Sequence, residues 1–342
     1  EGASPLPRMA KSYQRPLCDP PSTNSERRRV MQANKRDHGG GLDKAITQFG
    51  GARTDWIDLS TGINPVPYPV PNLPLEAWTA LPDNVAYERL ISLARSFWNV
   101  PDDAAVLPTA GASAIIAALP RLIRPGEVAI PGPTYNEHGA AFKAAGWTLN
   151  KGGRDAIVAV HPNNPNGVMW DTDQLNAPLC IIDESFCDVM PRASLVRLAT
   201  RPGTIVLKSF GKFWGLAGLR LGFAIGDAEI IRKLSDILGP WNVSGPALCI
   251  GSEALADRVW ADETRKRLEA DSKRLDTLMA SKNALLLGGT TLFRLYEVAD
   301  AKAAQTQLAK KHVWSRVFPY SNNWLRLGLP APDQWNQLET AF

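Results

Sequence analysis

The spacing of apolar positions divides the chain. Through EGASPLPRMAKSYQRPLCDPPSTNSERRRV, proline, serine and arginine recur with no sustained apolar period and no secretory apolar core. Residues 1–36 are therefore expected to be a disordered extension, with Arg27–Arg29 part of a solvated tail rather than a basic patch. From His38 the pattern tightens. WIDLSTGINP predicts a short strand and a turn, VPYPVPNLP an extended connection, and residues 86–98 an amphipathic helix. AAVLPTAGASAIIAALPRLI then reads as strand end, glycine turn and helix. EVAIPGPTY, DAIVAVHPNNPNG, LCIIDES and TIVLKSFGK each read as a strand, and NEHGAAFKAAG as a helix.

Short apolar strands alternating with helices predict an α/β chain with a large, mostly parallel sheet covered on both faces. Ligands of such sheets sit beyond the carboxyl ends of the strands, and Asn164, Asp183 and Lys212 fall at three of those ends. After Pro246 the character changes. Residues 247–282 read as one long helix, and TTLFRLYEV, HVWSRVF and WLRLGLP as strands around another helix. The expected organisation is a large domain over 61–246 and a smaller α+β domain over 247–342, joined by the segment 37–60. No internal repeat is evident.

A formal charge of +4 over 342 residues is too small to suggest a nucleic-acid or membrane-surface partner, and no apolar run reaches membrane-spanning length. Cys18, Cys180, Cys187 and Cys249 form no CxxC pair, which argues against a disulfide framework or a metal site. The expected setting is the cytoplasm.

Several motifs carry chemistry. Lys212, in LKSFGKFWGLAGLRLGF, lies among apolar and glycine residues that lower an amine's pKa and suit it to Schiff-base formation. Ser209 and Arg220 flank it as phosphate ligands. Asp183 ends an apolar strand, where a carboxylate needs a positive partner such as a pyridinium. Asn164 sits in HPNNPNG, equally readable as a plain turn. Gly111, Ala112 and Ser113 open a helix whose N–H groups suit a phosphate, and Tyr135 in PGPTY is placed to stack on a ring, although packing is the commoner task of such a residue. These are the parts that pyridoxal 5'-phosphate requires: an amine, an acid for its ring nitrogen, and a phosphate cradle.

PGPTY, HPNNPNG, IIDES and SFGKxxGLAGLR resemble the cofactor motifs of fold-type I pyridoxal-phosphate enzymes, the aspartate-aminotransferase fold, in the histidinol-phosphate aminotransferase branch. HGGGL, DLSTGINP, PTYNEH and WLRLGLP resemble most the threonine-phosphate decarboxylases of cobalamin biosynthesis. The resemblance implies that Lys212 carries the cofactor, Asp183 pairs with its pyridine nitrogen, Asn164 contacts its phenolic oxygen and Tyr135 stacks on the ring. It gives the cofactor phosphate to Gly111, Ala112, Ser113, Ser209 and Arg220, and the substrate carboxylate to Arg326. Arg316, His38 and Gly39 are the candidates for a phosphate on the substrate, a small phosphorylated amino acid. A homodimer is implied as well. Two positions depart from the aminotransferase pattern: Phe186 stands where a tyrosine is usual, three residues after the aspartate, and Leu81 where a tyrosine precedes Pro-Asp. Both weaken amino transfer relative to decarboxylation, although the motifs serve either. A non-catalytic binding module is the third reading, and the absence of a DNA-binding segment argues against it.

Overall fold

Strands of five or six residues, mostly buried and apolar, form the centre of the structure, a computed structural model that describes residues 36–342. The expectations for the extension, Arg27–Arg29 and Cys18 lie outside the described residues. The strands are β1 (Ile57–Asp58), β2 (Ala104–Thr109), β3 (Glu127–Ala129), β4 (Thr148–Leu149), β5 (Ala156–Val160), β6 (Leu179–Asp183), β7 (Thr204–Ser209) and β8 (Gly222–Asp227), followed by β9 (Leu285–Thr290), β10 (Phe293–Glu297), β11 (Val313–Trp314), β12 (Arg316–Phe318) and β13 (Ser321–Gly328). The large sheet has the order β2-β8-β7-β6-β5-β3-β4. Only β8 runs against its neighbours, so the sheet is mostly parallel, as the alternation predicts.

Side chains of β6 and β7 alternate between two apolar layers. Cys180, Ile182 and Val206 join one layer with Leu90, Ala94 and Trp98 of the helix Asn84–Trp98. Ile181, Ile205 and Leu207 join the other, with Ile115 and Ile231 from the helices Ala112–Ala118 and Ala228–Leu238. Burial on both faces is why these strands read as continuous apolar runs. The helix Asn84–Trp98 starts where the Asp83 carboxylate accepts from Ala86 N–H and ends at Asn99 in the left-handed region.

The smaller sheet, β12-β13-β10-β9, is wholly antiparallel. Near it β1 pairs in parallel with β11, Ile57 opposite Val313, which ties residues 57–58 to the C-terminal part of the chain. The single long helix expected over 247–282 is instead two, Gly245–Ala256 and Arg258–Ser281. Asp257 separates them because its carboxylate accepts from Trp260 N–H, capping the second helix rather than continuing the first. The first of the pair packs on the helix Asn84–Trp98.

The loop after β5 crosses the small sheet at backbone distance. A Cβ on Gly167 (φ +74°) would lie 2.1 Å from Gly289 O, and one on Gly288 2.2 Å from Asn166 O. Only glycines permit that crossing.

One ion cluster lies inside the apolar layer. Lys208, 1% exposed, places Nζ 2.6 Å from Glu184 Oε2 and 3.5 Å from Asp188 Oδ1. Ser194 Oγ also donates to Glu184, and the indoles of Trp98 and Trp214 to Asp188. Burial opposes the charge on Lys208, but the two carboxylates outweigh it and hold the ammonium above its usual pKa. Replacing Lys208 with Met would leave both carboxylates buried without their cation. We expect a loss of about 3–5 kcal/mol in urea unfolding; a loss under about 1 kcal/mol would show that the cluster is not held by its charges.

Candidate active site

The site forms where β5, β6 and β7 end. Lys212 lies three residues beyond β7, in a loop gripped by the GINP segment. Asn64 N–H donates to Lys212 O (3.0 Å) and the Asn64 side-chain amide to Phe213 O (2.8 Å). Lys212 Nζ is 3.5 Å from Thr61 O and 5.2 Å from the Phe186 ring. Burial, then the positive charges of Arg326 and Arg220, lower its pKa to about 8 against the pull of Asp183 and Asp58.

Asp183 ends β6 and is 2% exposed. Its Oδ2 lies 2.8 Å from His138 Nε2, and Oδ1 accepts from Ser185 N–H (3.0 Å) and Oγ (2.6 Å). Burial raises its pKa, but the His138 and Ser185 hydrogen bonds more than compensate, so the carboxyl stays ionised below the usual carboxylate range. His138 is a residue that sequence reasoning missed. It is fully buried on the helix Asn136–Ala144, three residues after Tyr135, and a histidine beside Asn136 and Glu137 reads as an exposed polar position.

A first cavity is lined by Ala112, Ser113, Tyr135, Asn164, Asp183, Phe186, Ser209, Lys212 and Arg220. Next to the lining residue Ala112, Gly111 (φ +82°) lets Arg220 approach the helix start: a Cβ there would lie 2.7 Å from Arg220 Nη2. Arg220 takes a left-handed backbone conformation (φ 55°) and donates from Nη1 to Ala217 O. A second cavity is lined by Asp37, His38, Gly39, Arg316, Tyr320 and Arg326, and shares Tyr135, Asn164 and Lys212 with the first. The predicted residues therefore divide into two adjoining groups that meet at Lys212.

Arg326 on β13 is 3% exposed and donates to Asn164 Oδ1 and Ser60 O, while its Nε has no partner. Burial, then the charge of Arg316, lowers its pKa to about 10. Arg316 forms a two-bond fork with Asp37 (2.6 Å each) and donates to His38 O (2.9 Å). His38 Nε2 lies 2.7 Å from Glu137 Oε1. Gly39 lies so close to Ser60 that a Cβ would be 2.3 Å from Ser60 O. Asp37 and Ser60 are further site residues that the sequence did not mark. Phe186 packs edge-on against Phe293 and presents no hydroxyl to the cavity, whereas Leu81 is 68% exposed.

His161, Glu184 and Cys187 bring possible metal-binding atoms within 4.8 Å of one another. Both nitrogens of His161 are already engaged, by Trp170 N–H and Ala193 O, and Glu184 holds Lys208.

The first cavity fits pyridoxal 5'-phosphate. An ionised, buried carboxylate faces it from one side, an amine of lowered pKa from another, and the glycine-permitted approach of Arg220 to the helix start leaves a cradle for an anion. Asp183 would hold the ring nitrogen, Lys212 the aldehyde carbon, and Ser113, Ser209 and Arg220 the phosphate.

Comparisons with known proteins agree. The model of the family "Aminotransferase class I and II" matches residues 147–341. The threonine-phosphate decarboxylase of Pseudomonas aeruginosa is 38% identical over 326 residues, spanning 90% of this chain and 97% of the relative. That of a Sinorhizobium species is 39% identical, covering 86% and 93%. The crystal structure of histidinol-phosphate aminotransferase from Sinorhizobium meliloti in complex with pyridoxal-5'-phosphate superposes with a TM-score of 0.76 over 94% of this chain and 97% of that one, at 17% identity, which establishes the common fold.

The lowered pKa of Lys212 is testable in cofactor-free protein. In competitive acylation followed by peptide mass spectrometry, Lys212 should react with a midpoint near pH 8, while exposed lysines react with midpoints near 10.4. A midpoint above about 10 at Lys212 would contradict the electrostatics described here.

Proposed function

We propose, from the premise that this chain belongs to the class I and II aminotransferase family and within it to the threonine-phosphate decarboxylases, that it converts L-threonine O-3-phosphate to (R)-1-amino-2-propanol O-2-phosphate and carbon dioxide, a step of cobalamin biosynthesis. The observation that carries this reading is the pair of arginines in the second cavity. Arg316 and Arg326 lie directly opposite each other on β12 and β13, beside Lys212. A substrate with two anionic groups and an amine matches that charge pattern.

Bound in the first cavity, pyridoxal phosphate supplies a sink for the electron pair left on Cα when carbon dioxide departs. The remaining tasks fall to the chain. Asp183, kept ionised by His138 and Ser185, holds a proton on the ring nitrogen. Tyr135 covers the ring face and Asn164 donates to the phenolic oxygen. Arg326 grips the substrate carboxylate, while Arg316, His38 and Gly39 take its phosphate. Two fixed anchors would set the torsion about Cα, so that the bond to the carboxylate is the one presented for cleavage. Lys212, about half of it in the ammonium form near pH 8, would deliver the proton to Cα. Phe186 leaves the position of the usual tyrosine apolar, in keeping with a reaction that does not return an amine to a second acid.

In this reading residues 61–246 form the cofactor domain, and 247–342 with 37–60 the small domain. The enzyme works in the cytoplasm; among the described residues no helix is long and apolar enough to cross a membrane. It acts as a homodimer. Supporting that is a stretch of exposed large apolar side chains, Leu75, Trp78, Leu81 and Val85, each 68% exposed or more.

Two measurements test this reading. The pyridoxal-phosphate-loaded protein should release carbon dioxide and the phosphorylated amine in equal amounts from L-threonine O-3-phosphate, and Lys212→Ala should release neither; amino transfer from histidinol phosphate to 2-oxoglutarate without carbon dioxide would overturn it. By light scattering the protein should be a dimer at micromolar concentration and the double variant Trp78→Glu, Leu81→Glu largely monomeric; a monomeric wild type would exclude the dimer.

A further inference from the structure

Two guanidinium groups directly opposite each other on neighbouring antiparallel strands repel, and β12 and β13 place Arg316 and Arg326 in that relation. The two are treated differently. Arg326 meets only neutral acceptors, Asn164 Oδ1 and Ser60 O, and keeps an unpartnered, buried Nε. Arg316 has a full carboxylate partner from the chain itself, Asp37, bound through two bonds of 2.6 Å. Asp37 lines the same cavity as both arginines and Lys212, so its carboxylate stands where an incoming anion would meet Arg316.

The attachments of Asp37 suit it to leave without disturbing the backbone. Its carbonyl accepts from Asn136 Nδ2 (2.7 Å). The following turn is fixed by Gly40 N–H to Ser60 Oγ (2.6 Å) and by the Trp314 indole to Gly40 O (3.1 Å). The side chain, by contrast, is 42% exposed and pairs with Arg316. Rotation about the Cα–Cβ bond carries the carboxylate into solvent while the arm stays docked.

We propose that Asp37 is a positioning residue that acts by exchange: its carboxylate holds Arg316 in place in the free enzyme and is displaced when a phosphate monoester enters. Arg316 thus passes from one anion to another. A carboxylate contributes one negative charge and a phosphate monoester between about 1.5 and 2 near pH 7, with a third oxygen to accept, so the exchange runs forward for a phosphate. The proposal rests on the reading that the substrate phosphate lies at Arg316.

The test is Asp37→Asn in the pyridoxal-phosphate-loaded enzyme, with inorganic phosphate as a probe that needs no turnover. A partly exposed ion pair opposes a competing anion by about two- to fivefold. Without it, inorganic phosphate should bind about two- to fivefold more tightly by calorimetry. KM for L-threonine O-3-phosphate should fall by a similar factor while kcat holds. In Arg316→Gln the effect of Asp37→Asn should vanish, since the contested group is gone. Unchanged or weaker phosphate binding in Asp37→Asn would overturn the proposal, and would make Asp37 a prop that aims Arg316 instead. Because calorimetry reads phosphate alone, tighter binding with no decarboxylation would uphold the exchange while sinking the assigned reaction.

Discussion

The ammonium of Lys208 is bound between two carboxylates inside the apolar layer beneath the site, and the placement of the chemistry follows from it. Glu184 directly follows Asp183 at the end of β6, and Lys208 directly precedes Ser209 at the end of β7. Side chains of adjacent strand residues point to opposite faces. Pairing Glu184 with Lys208 on the buried side therefore leaves Asp183 and Ser209 to line the cofactor cavity. The pair also fixes the relative height of the two strand ends, from which the Lys212 loop departs. Such a buried pair adds little net stability compared with an apolar replacement, and its worth lies in the register it imposes.

Above that platform the electrostatics run the other way. Lys212, Arg220, Arg316 and Arg326 converge on two adjoining cavities, and of the nearby carboxylates Asp183 is engaged by His138 and Ser185, and Asp37 by Arg316. Burial first, and this excess of positive charge second, depress the pKa values of Lys212 and Arg326. The free site thus carries a repulsion between cations that anionic ligands relieve, and that repulsion adds to burial in lowering the amine pKa.

Much of this was legible in the sequence because it is local. Alternation of apolar strands and helices predicts the parallel sheet, and Asn164, Asp183, Ser209, Lys212 and Arg220 announce themselves by standing at strand ends or in glycine-rich turns. What escaped depends on contacts between distant segments. Asp37 meets Arg316 across 279 positions, and His138 meets Asp183 across 45. The motifs PTYNEH and HGGGL beside them suggest a family but not these two contacts. The break at Asp257 was hidden for another reason: the helical character of the sequence runs through it, and only the use of its carboxylate as a cap divides the helix.

The placement of Arg316 opposite Arg326 turns the small sheet into a gauge of length. Partner residues in an antiparallel ladder sit about 4.5–5.5 Å apart at Cα, a spacing set by backbone hydrogen bonds and indifferent to side-chain identity. In the proposed function, the two guanidinium groups that would take the substrate's anions are therefore rooted on one rung of the ladder. Descendants of this enzyme can change which groups they grip by exchanging side chains. Moving one arginine to another rung of the ladder would re-space the roots of the two grips without altering either side chain.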